Sequence, residues 1–202
     1  MTDSQIDTKQ KIVEAAAYLF GQKGYDGTST REIGRRAGVN IASLNYHFKS
    51  KQNLMEIVAT FACEGFKVRL QTIAASPTIK TTQDFALALH STLLADGHKC
   101  LNEFKLFLEI KNPVGVLGEK PFGFEEMHGC LKNDLGVKVP ESEYLWIHHV
   151  LFNYIIHTAI ISVTPMGQRY NEKFLPDQQA SNKKYLTQLV ETLIRDLNNR
   201  YQ

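Results

Sequence analysis

The chain has 202 residues, 43% hydrophobic and 22% charged, which is typical of folded globular proteins and excludes disordered and fibrous classes. The net charge is only +2, but residues 1–54 carry +3 and the remainder −1, so a modestly basic segment precedes a nearly neutral body. Three widely spaced cysteines without a CxxC pair predict buried thiols, rather than a disulfide framework or a zinc knuckle.

The N-terminal residues predict a helix rather than a targeting segment. No basic stretch followed by an apolar one opens the chain, so we expect no secretory signal and a cytoplasmic protein. Helical periodicity runs through nearly every segment, without sustained alternation of period two, which predicts an all-α fold. The first helix is expected to begin after Asp7 or Thr8 and to end near Gln22.

Two short helices joined by a tight turn are predicted next. Ser29 and Glu32 have the spacing of a capping box at the start of a second helix. Gly38 can adopt the left-handed conformation that ends this helix. Asn40 is a good N-cap for a third helix, from Ile41 to His47, so the pattern indicates a helix-turn-helix.

Longer helices are predicted in the rest of the chain. Ser50 caps a fourth helix that runs to the Ser76–Pro77 stop, and 113–123 is a loop rich in glycine and proline. The apolar run 145–164 has membrane-spanning length, but three histidines and an asparagine favour a buried helix. The further helices are expected near 83–96, 99–111, 124–135, 142–163 and 180–199.

The spacing of apolar and polar residues from Lys11 to Leu54 closely resembles the N-terminal domain of the TetR family of transcription regulators. The match is ungapped and rests on Ile12, Ala16, Phe20, Gly24-Tyr25, Thr28-Ser29-Thr30, Ile33, Ala37-Gly38-Val39, Leu44, Tyr46-His47-Phe48, Lys51 and Leu54. The resemblance implies a three-helix DNA-binding domain over 1–54. It also implies a long fourth helix leading into an effector-binding and dimerisation domain over 55–202.

By this resemblance the third helix enters the major groove of double-stranded DNA. The side chains expected to contact phosphates or the groove edge are Thr28, Ser29, Thr30, Arg36, Tyr46, His47 and Lys51. Those expected at the bases are Ile41, Ala42, Ser43 and Asn45, with Asn40 at the start of the helix. Tyr25, Leu44 and Phe48 are assigned to the core, without a DNA role. An aromatic residue is common in the family where Asn45 stands, which points to a different operator.

The C-terminal two-thirds is interpreted from composition and from the family. We expect a homodimer through the helices near 142–163 and 180–199, two heads reading a palindrome, and a small, largely apolar effector that releases a repressor from DNA. The apolar residues proposed for the effector pocket are Phe66, Phe104, Phe107, Leu108, Phe122, Met127, Trp146 and Tyr154.

Other functions stay open at this point. A TetR-like adaptor that binds proteins instead of DNA, a regulator without an effector, and a helical enzyme are the alternatives. No catalytic constellation stands out, so we expect no enzyme and no cofactor. His128, His148, His149, His157 and Cys130 do not have metal-ligand spacing, so we expect no metal site.

Overall fold

The computed structural model describes residues 3–109, 120–136, 138–174 and 178–201, with side chains from residue 7 onward except 174 and 178–180. Within these ranges the regular structure is entirely helical, which confirms the predicted all-α fold. The helices are α1 Asp3–Lys23, α2 Thr30–Ala37, α3 Ile41–Phe48, α4 Lys51–Ala74, α5 Thr82–Ala95, α6 Gly97–Leu108, α7 Phe124–Leu135, α8 Glu141–Ser162, α9 Pro165–Phe174 and α10 Gln178–Tyr201.

Helix α9 is the main element that the sequence pattern did not predict. It begins with Pro165, whose missing N–H costs nothing in the first turn. The hydroxyl of Thr164 accepts a hydrogen bond from the backbone N–H of Gly167 at 3.1 Å and so caps the helix. Helix α1 also begins five or six residues earlier than expected, at Asp3. The predicted loop 113–123 lies mostly outside the described residues.

The chain forms two compact units. The first contains α1, α2, α3, the part of α4 up to Phe66, and α6 from Lys99. The second contains the rest of α4 together with α5 and α7 to α10. These units do not follow the predicted boundary at residue 54, and the division into a DNA-binding domain over 1–54 and an effector-binding and dimerisation domain over 55–202 stays a prediction.

The first unit has a core of its own. The apolar side of α1 meets α2, α3, α4 and α6, and the largest buried side chains there are Ile12, Phe20, Ile33, Leu44, Phe48 and Leu54. A Cβ atom at Gly21 would lie 2.7 Å from Cβ of Asn102, so α1 and α6 approach too closely there for a side chain. Burial of this apolar surface holds the short helices α2 and α3 in place.

The second unit packs α5 against α8 and α10, and α7 against α5 and α8. By length and composition alone, α8 is apolar enough to cross a membrane, although only 33% of its most apolar window is buried within the chain. Its exposed stripe contains Trp146, His149, Asn153 and His157 at helical spacing. Helix α8 therefore buries one side and presents the other.

The three cysteines are buried thiols, as the sequence predicts. Burial raises the pKa of the Cys63 thiol to about 11, and it also raises the pKa of Cys130. Both sulfurs are therefore protonated at neutral pH.

Candidate nucleic-acid interface

The helix-turn-helix is built by local hydrogen bonds that the sequence predicts. Gly38 lies at φ 69° and ψ 29°, in the left-handed region that ends α2. The N–H of Val39 donates to the Gly34 carbonyl at 2.9 Å, which closes the turn. The side chain of Asn40 then accepts a hydrogen bond from the Ser43 N–H at 2.7 Å and caps α3.

The predicted capping box at α2 is only half confirmed. The hydroxyl of Ser29 accepts a hydrogen bond from the Glu32 N–H at 3.2 Å, as expected. The Glu32 carboxylate instead forms an ion pair with Lys23 at the end of α1. This pair is the main cause of the lowered pKa of Glu32, and the Ser29 backbone is a minor one. The carboxylate therefore ties α2 to α1 more than it caps its own helix.

Helix α3 divides into a buried and an exposed side. Leu44 and Phe48 are completely buried in the core of the first unit. Tyr46 is 75% exposed, the largest value among the exposed apolar and aromatic side chains, and Ile41 is 39% exposed. On the same helix Ala42 and Asn45 are exposed, and Ser43 and His47 are half-buried. The α3 residues predicted to face DNA are thus outside the core.

The connection between α3 and α4 is tight. Lys49 has φ 59° and ψ −44°, the only described non-glycine residue with positive φ. The Ser50 amide donates to the Phe48 carbonyl at 2.6 Å across Lys49, which is a γ-turn. The hydroxyl of Ser50 then accepts from the Asn53 N–H at 3.1 Å and caps α4, as predicted.

Lys51 has a partner that the sequence did not suggest. Its Nζ lies 4.1 Å from the centre of the Tyr25 ring, a cation–π contact between the start of α4 and the segment after α1. Tyr25 is only half-buried, so its predicted role as a pure core residue is incomplete. Tyr25 and Lys51 are 26 positions apart, so the local sequence pattern around either residue does not predict this contact.

Thr28 differs from its predicted role. It is 2% exposed, and its hydroxyl donates to the carbonyls of Gly24 at 2.9 Å and Leu19 at 3.2 Å. The hydroxyl therefore closes the segment after α1 instead of facing a phosphate. Ser29 is exposed and Thr30 half-buried at the start of α2, where backbone amides and the helix dipole favour an anion.

Arg36 stacks on α1. Its Cζ lies 3.6 Å from the centre of the Tyr18 ring, and both side chains are exposed. Arg31 and Arg35 are exposed on α2 beside Ser29 and Glu32 and line a surface depression with them. The second helix thus adds positive charge to the surface next to its capped N-terminus.

The residues predicted for an effector pocket fall into both compact units. In the first unit Phe104 and Phe107 stack with ring centres 6.3 Å apart, and Leu108 is 69% exposed. In the second unit Met127 is completely buried and Trp146 is 46% exposed. Of the remaining three, Phe66 lies in the first unit and Phe122 and Tyr154 in the second, all half-buried.

His128 and His148 of the second unit join an aromatic cluster around Phe124. His148 stacks on Phe152 with ring centres 5.1 Å apart, and its ring lies 5.5 Å from that of Phe124. His148 is 2% exposed, and burial lowers its pKa to about 4. Among the described residues no group of three or more potential ligands is placed to hold a metal ion.

Comparison with known proteins identifies the N-terminal unit. Residues 12–58 match the model of bacterial regulatory proteins of the tetR family. A Bacillus subtilis protein named "Probable HTH-type transcriptional regulator YttP" is 42% identical over 94 residues, 46% of this chain and 45% of that protein. The Staphylococcus aureus biofilm operon icaADBC HTH-type negative transcriptional regulator IcaR is 46% identical over 48 residues, 24% of this chain and 26% of that protein. The matched segments span less than half of each relative.

A solved structure extends the likeness beyond the N-terminal segment. The multidrug binding protein EbrR, complexed with ethidium, has a TM-score of 0.57 to this chain at 23% identity, covering 91% of this chain and 98% of that one. At this identity the likeness shows the fold, a helix-turn-helix unit followed by further helices. The matched relatives carry the names of regulators, and no enzyme family is indicated.

Proposed function

From the match of residues 12–58 to the tetR family of bacterial regulatory proteins, we infer that the chain is a member of this family and a DNA-binding regulator of transcription. The observation that carries the proposal is the two-sided character of α3. Its inner side is held in the core by Leu44 and Phe48, and its outer side exposes Ile41, Ala42, Asn45 and Tyr46 to solvent. A helix held in this way fits the major groove of B-DNA.

Sequence reading is proposed for the N-terminal and middle part of α3. The carboxamide of Asn45 is exposed and can form two hydrogen bonds with adenine. Ile41 and Ala42 are exposed apolar residues that can pack against thymine methyl groups, and Ser43 adds a hydroxyl. Asn40 holds the first turn in place through its cap.

Phosphate contacts are proposed around this helix. Tyr46 and His47 follow Asn45, and their rings meet edge to face with centres 5.2 Å apart. Lys51 supplies a cation at the start of α4, and Ser29 and Thr30 offer hydroxyls and amides at the start of α2. Such contacts position the protein on DNA without reading its sequence.

A homodimer is proposed because single heads of this size bind DNA weakly. The exposed stripe of α8 and the 49% exposed ring of Tyr185 on α10 are the surfaces that a second copy would cover. Trp146 lies on this stripe, so we now assign it to the dimer contact instead of the effector pocket. Two heads related by a twofold axis would read a palindromic operator.

Repression relieved by a small, largely apolar effector is the finer part of the proposal. The likeness to a negative regulator and to a multidrug binding protein supports it. An effector would have to prefer one of two dimer geometries, so that its binding changes the separation of the heads. Gly65 and Phe66 in α4 lie where the first compact unit ends, and we propose that the change passes through them.

Selection from random duplex DNA, followed by gel shifts at several salt concentrations, tests the proposal. We expect a palindrome to be enriched, with affinity falling steeply as salt rises. Tyr46→Ala and Lys51→Ala should each weaken binding across sequences, and full affinity in both variants would refute the assignment of α3. Enrichment of no DNA together with capture of a defined protein would favour the adaptor function. Unchanged operator affinity with every apolar ligand tried would favour a regulator without effector.

A further inference from the structure

We propose that Tyr25 is a positioning residue for DNA binding, whose ring holds the ammonium group of Lys51 in place for a DNA phosphate. The inference rests on the proposed DNA-binding function, in which Lys51 contacts the backbone of the duplex. Tyr25 itself touches no DNA in this proposal. It acts only through Lys51.

The contact between the two side chains is short enough to be attractive. Nζ of Lys51 lies 4.1 Å from the centre of the Tyr25 ring, well within the range in which the face of an aromatic ring attracts a cation. A free lysine side chain has four flexible bonds, and ordering it on a phosphate costs conformational entropy. Because the ring already restricts the ammonium group in the free protein, binding to DNA loses less conformational entropy.

The Tyr25 ring is itself held by its neighbours. It packs against Phe20, with ring centres 5.8 Å apart. The Tyr25 carbonyl accepts a hydrogen bond from the Thr28 N–H at 3.3 Å. The hydroxyl of Thr28 fixes the preceding carbonyls of Leu19 and Gly24. These contacts restrict movement of the Tyr25 ring, so the ring gives the Lys51 ammonium group a fixed surface to rest on.

Hydrogen bonds at the start of α4 fix the backbone of Lys51. The Ser50 cap and the Asn53 side chain, which donates to the Phe48 carbonyl at 3.0 Å, join the start of α4 to the end of α3. Lys51 is thus attached to the recognition helix through its backbone, and its ammonium group contacts Tyr25 in the segment after α1. The ammonium group has one defined place relative to α3.

A cycle of variants distinguishes positioning from a merely structural contact. Affinity for a random-sequence duplex of about 40 base pairs at about 50 mM salt is measured for the wild type, Tyr25→Leu, Lys51→Ala and the double variant. We expect Tyr25→Leu to weaken binding by about two- to five-fold when Lys51 is present, and to have no effect when Lys51 is alanine. Tyr25→Phe keeps the ring face and should bind like the wild type.

Equal losses in both backgrounds would overturn the proposal, as would unchanged or tighter binding by Tyr25→Leu. If Tyr25→Leu does not fold, the wild type still gives an answer by NMR. The ε-methylene protons of Lys51 should be shifted upfield by the ring, and a random-coil shift would overturn the inference. Failure of the wild type to bind any duplex would instead refute the proposed function.

Discussion

The carbonyl oxygen of Phe48 accepts a hydrogen bond from the amide of Ser50 at 2.6 Å, so the chain reverses between α3 and α4 over a single residue. That residue is Lys49, at φ 59°. A side chain in this region costs on the order of 1–3 kcal/mol, whereas glycine adopts it freely. The turn therefore stores strain between the recognition helix and α4.

We expect Lys49→Gly to raise the free energy of unfolding by about 1 kcal/mol, because relief of the strain exceeds the entropy cost of glycine. Thermal and urea unfolding would measure the change. Lys49→Ala removes the same side chain but keeps the strain, so it should give no such increase. Equal stability in the two variants would show that the turn is relaxed.

Two variants of Asn40 distinguish its effect on stability from its effect on DNA affinity. Asn40→Ala should lower the free energy of unfolding by about 1 kcal/mol, since α3 loses the acceptor for the Ser43 amide. Asn40→Asp keeps an acceptor and should fold as stably as the wild type, but its negative charge should weaken binding to DNA. An Asp variant that loses stability as much as the Ala variant would contradict the role of the cap.

Thr28→Val tests the buried hydroxyl. Valine has nearly the same shape but no donor, so the carbonyls of Leu19 and Gly24 lose their partner and the free energy of unfolding should fall by about 1–2 kcal/mol. Thr30→Val is the matched control, since this side chain is only half-buried, and it should change stability by less than about 0.5 kcal/mol. The same loss in both variants would argue against a specific role of Thr28.

Asn45→Ala should change sequence preference more than overall affinity. The exposed carboxamide is the α3 side chain best suited to read a base, and its removal should relax selection at one position of each half-site. Selection from random duplexes with the wild type and the variant measures this. An identical enriched motif from both proteins would exclude Asn45 from base reading.

Acidification should destabilise the fold through His148. Burial holds its pKa at about 4 in the folded chain, below the ordinary value of 6.5. Between these values the unfolded chain binds a proton that the folded ring rejects, so stability is full above pH 6.5 and falls as the pH drops. The loss amounts to about 3 kcal/mol by pH 4. Urea unfolding across this range should show the fall, and His148→Phe should make it less steep, although burial also lowers the pKa of His90 and His128. An equally steep curve for that variant would assign the effect elsewhere.

The sequence predicts the helix-turn-helix well because its signals are local. The caps at Ser29, Asn40 and Ser50 and the left-handed Gly38 each act within four residues of chain, so their positions are readable without a fold. The sequence does not predict helix α9 although Thr164-Pro165 is a start signal, because no sustained apolar stripe follows it.

The roles of Thr28, Tyr25 and Glu32 were not predictable for a different reason. The hydroxyl of Thr28 has a good acceptor nine residues back, and Tyr25 meets a lysine 26 positions ahead. Glu32 has two potential partners, Ser29 within its own helix and Lys23 on α1, and only the packing of the two helices selects between them. These choices depend on tertiary structure, which the spacing of residue types does not contain.

Because its native thiols are buried, the folded protein should react little with thiol-directed labels. Cys63, Cys100 and Cys130 are all enclosed, so a maleimide dye or spin label should leave the folded chain unmodified. A single cysteine introduced at an exposed position of α2 would then carry the only probe in each subunit. Pairs of such probes in a dimer would report the distance between the two heads directly, with and without DNA, while all three native cysteines are retained.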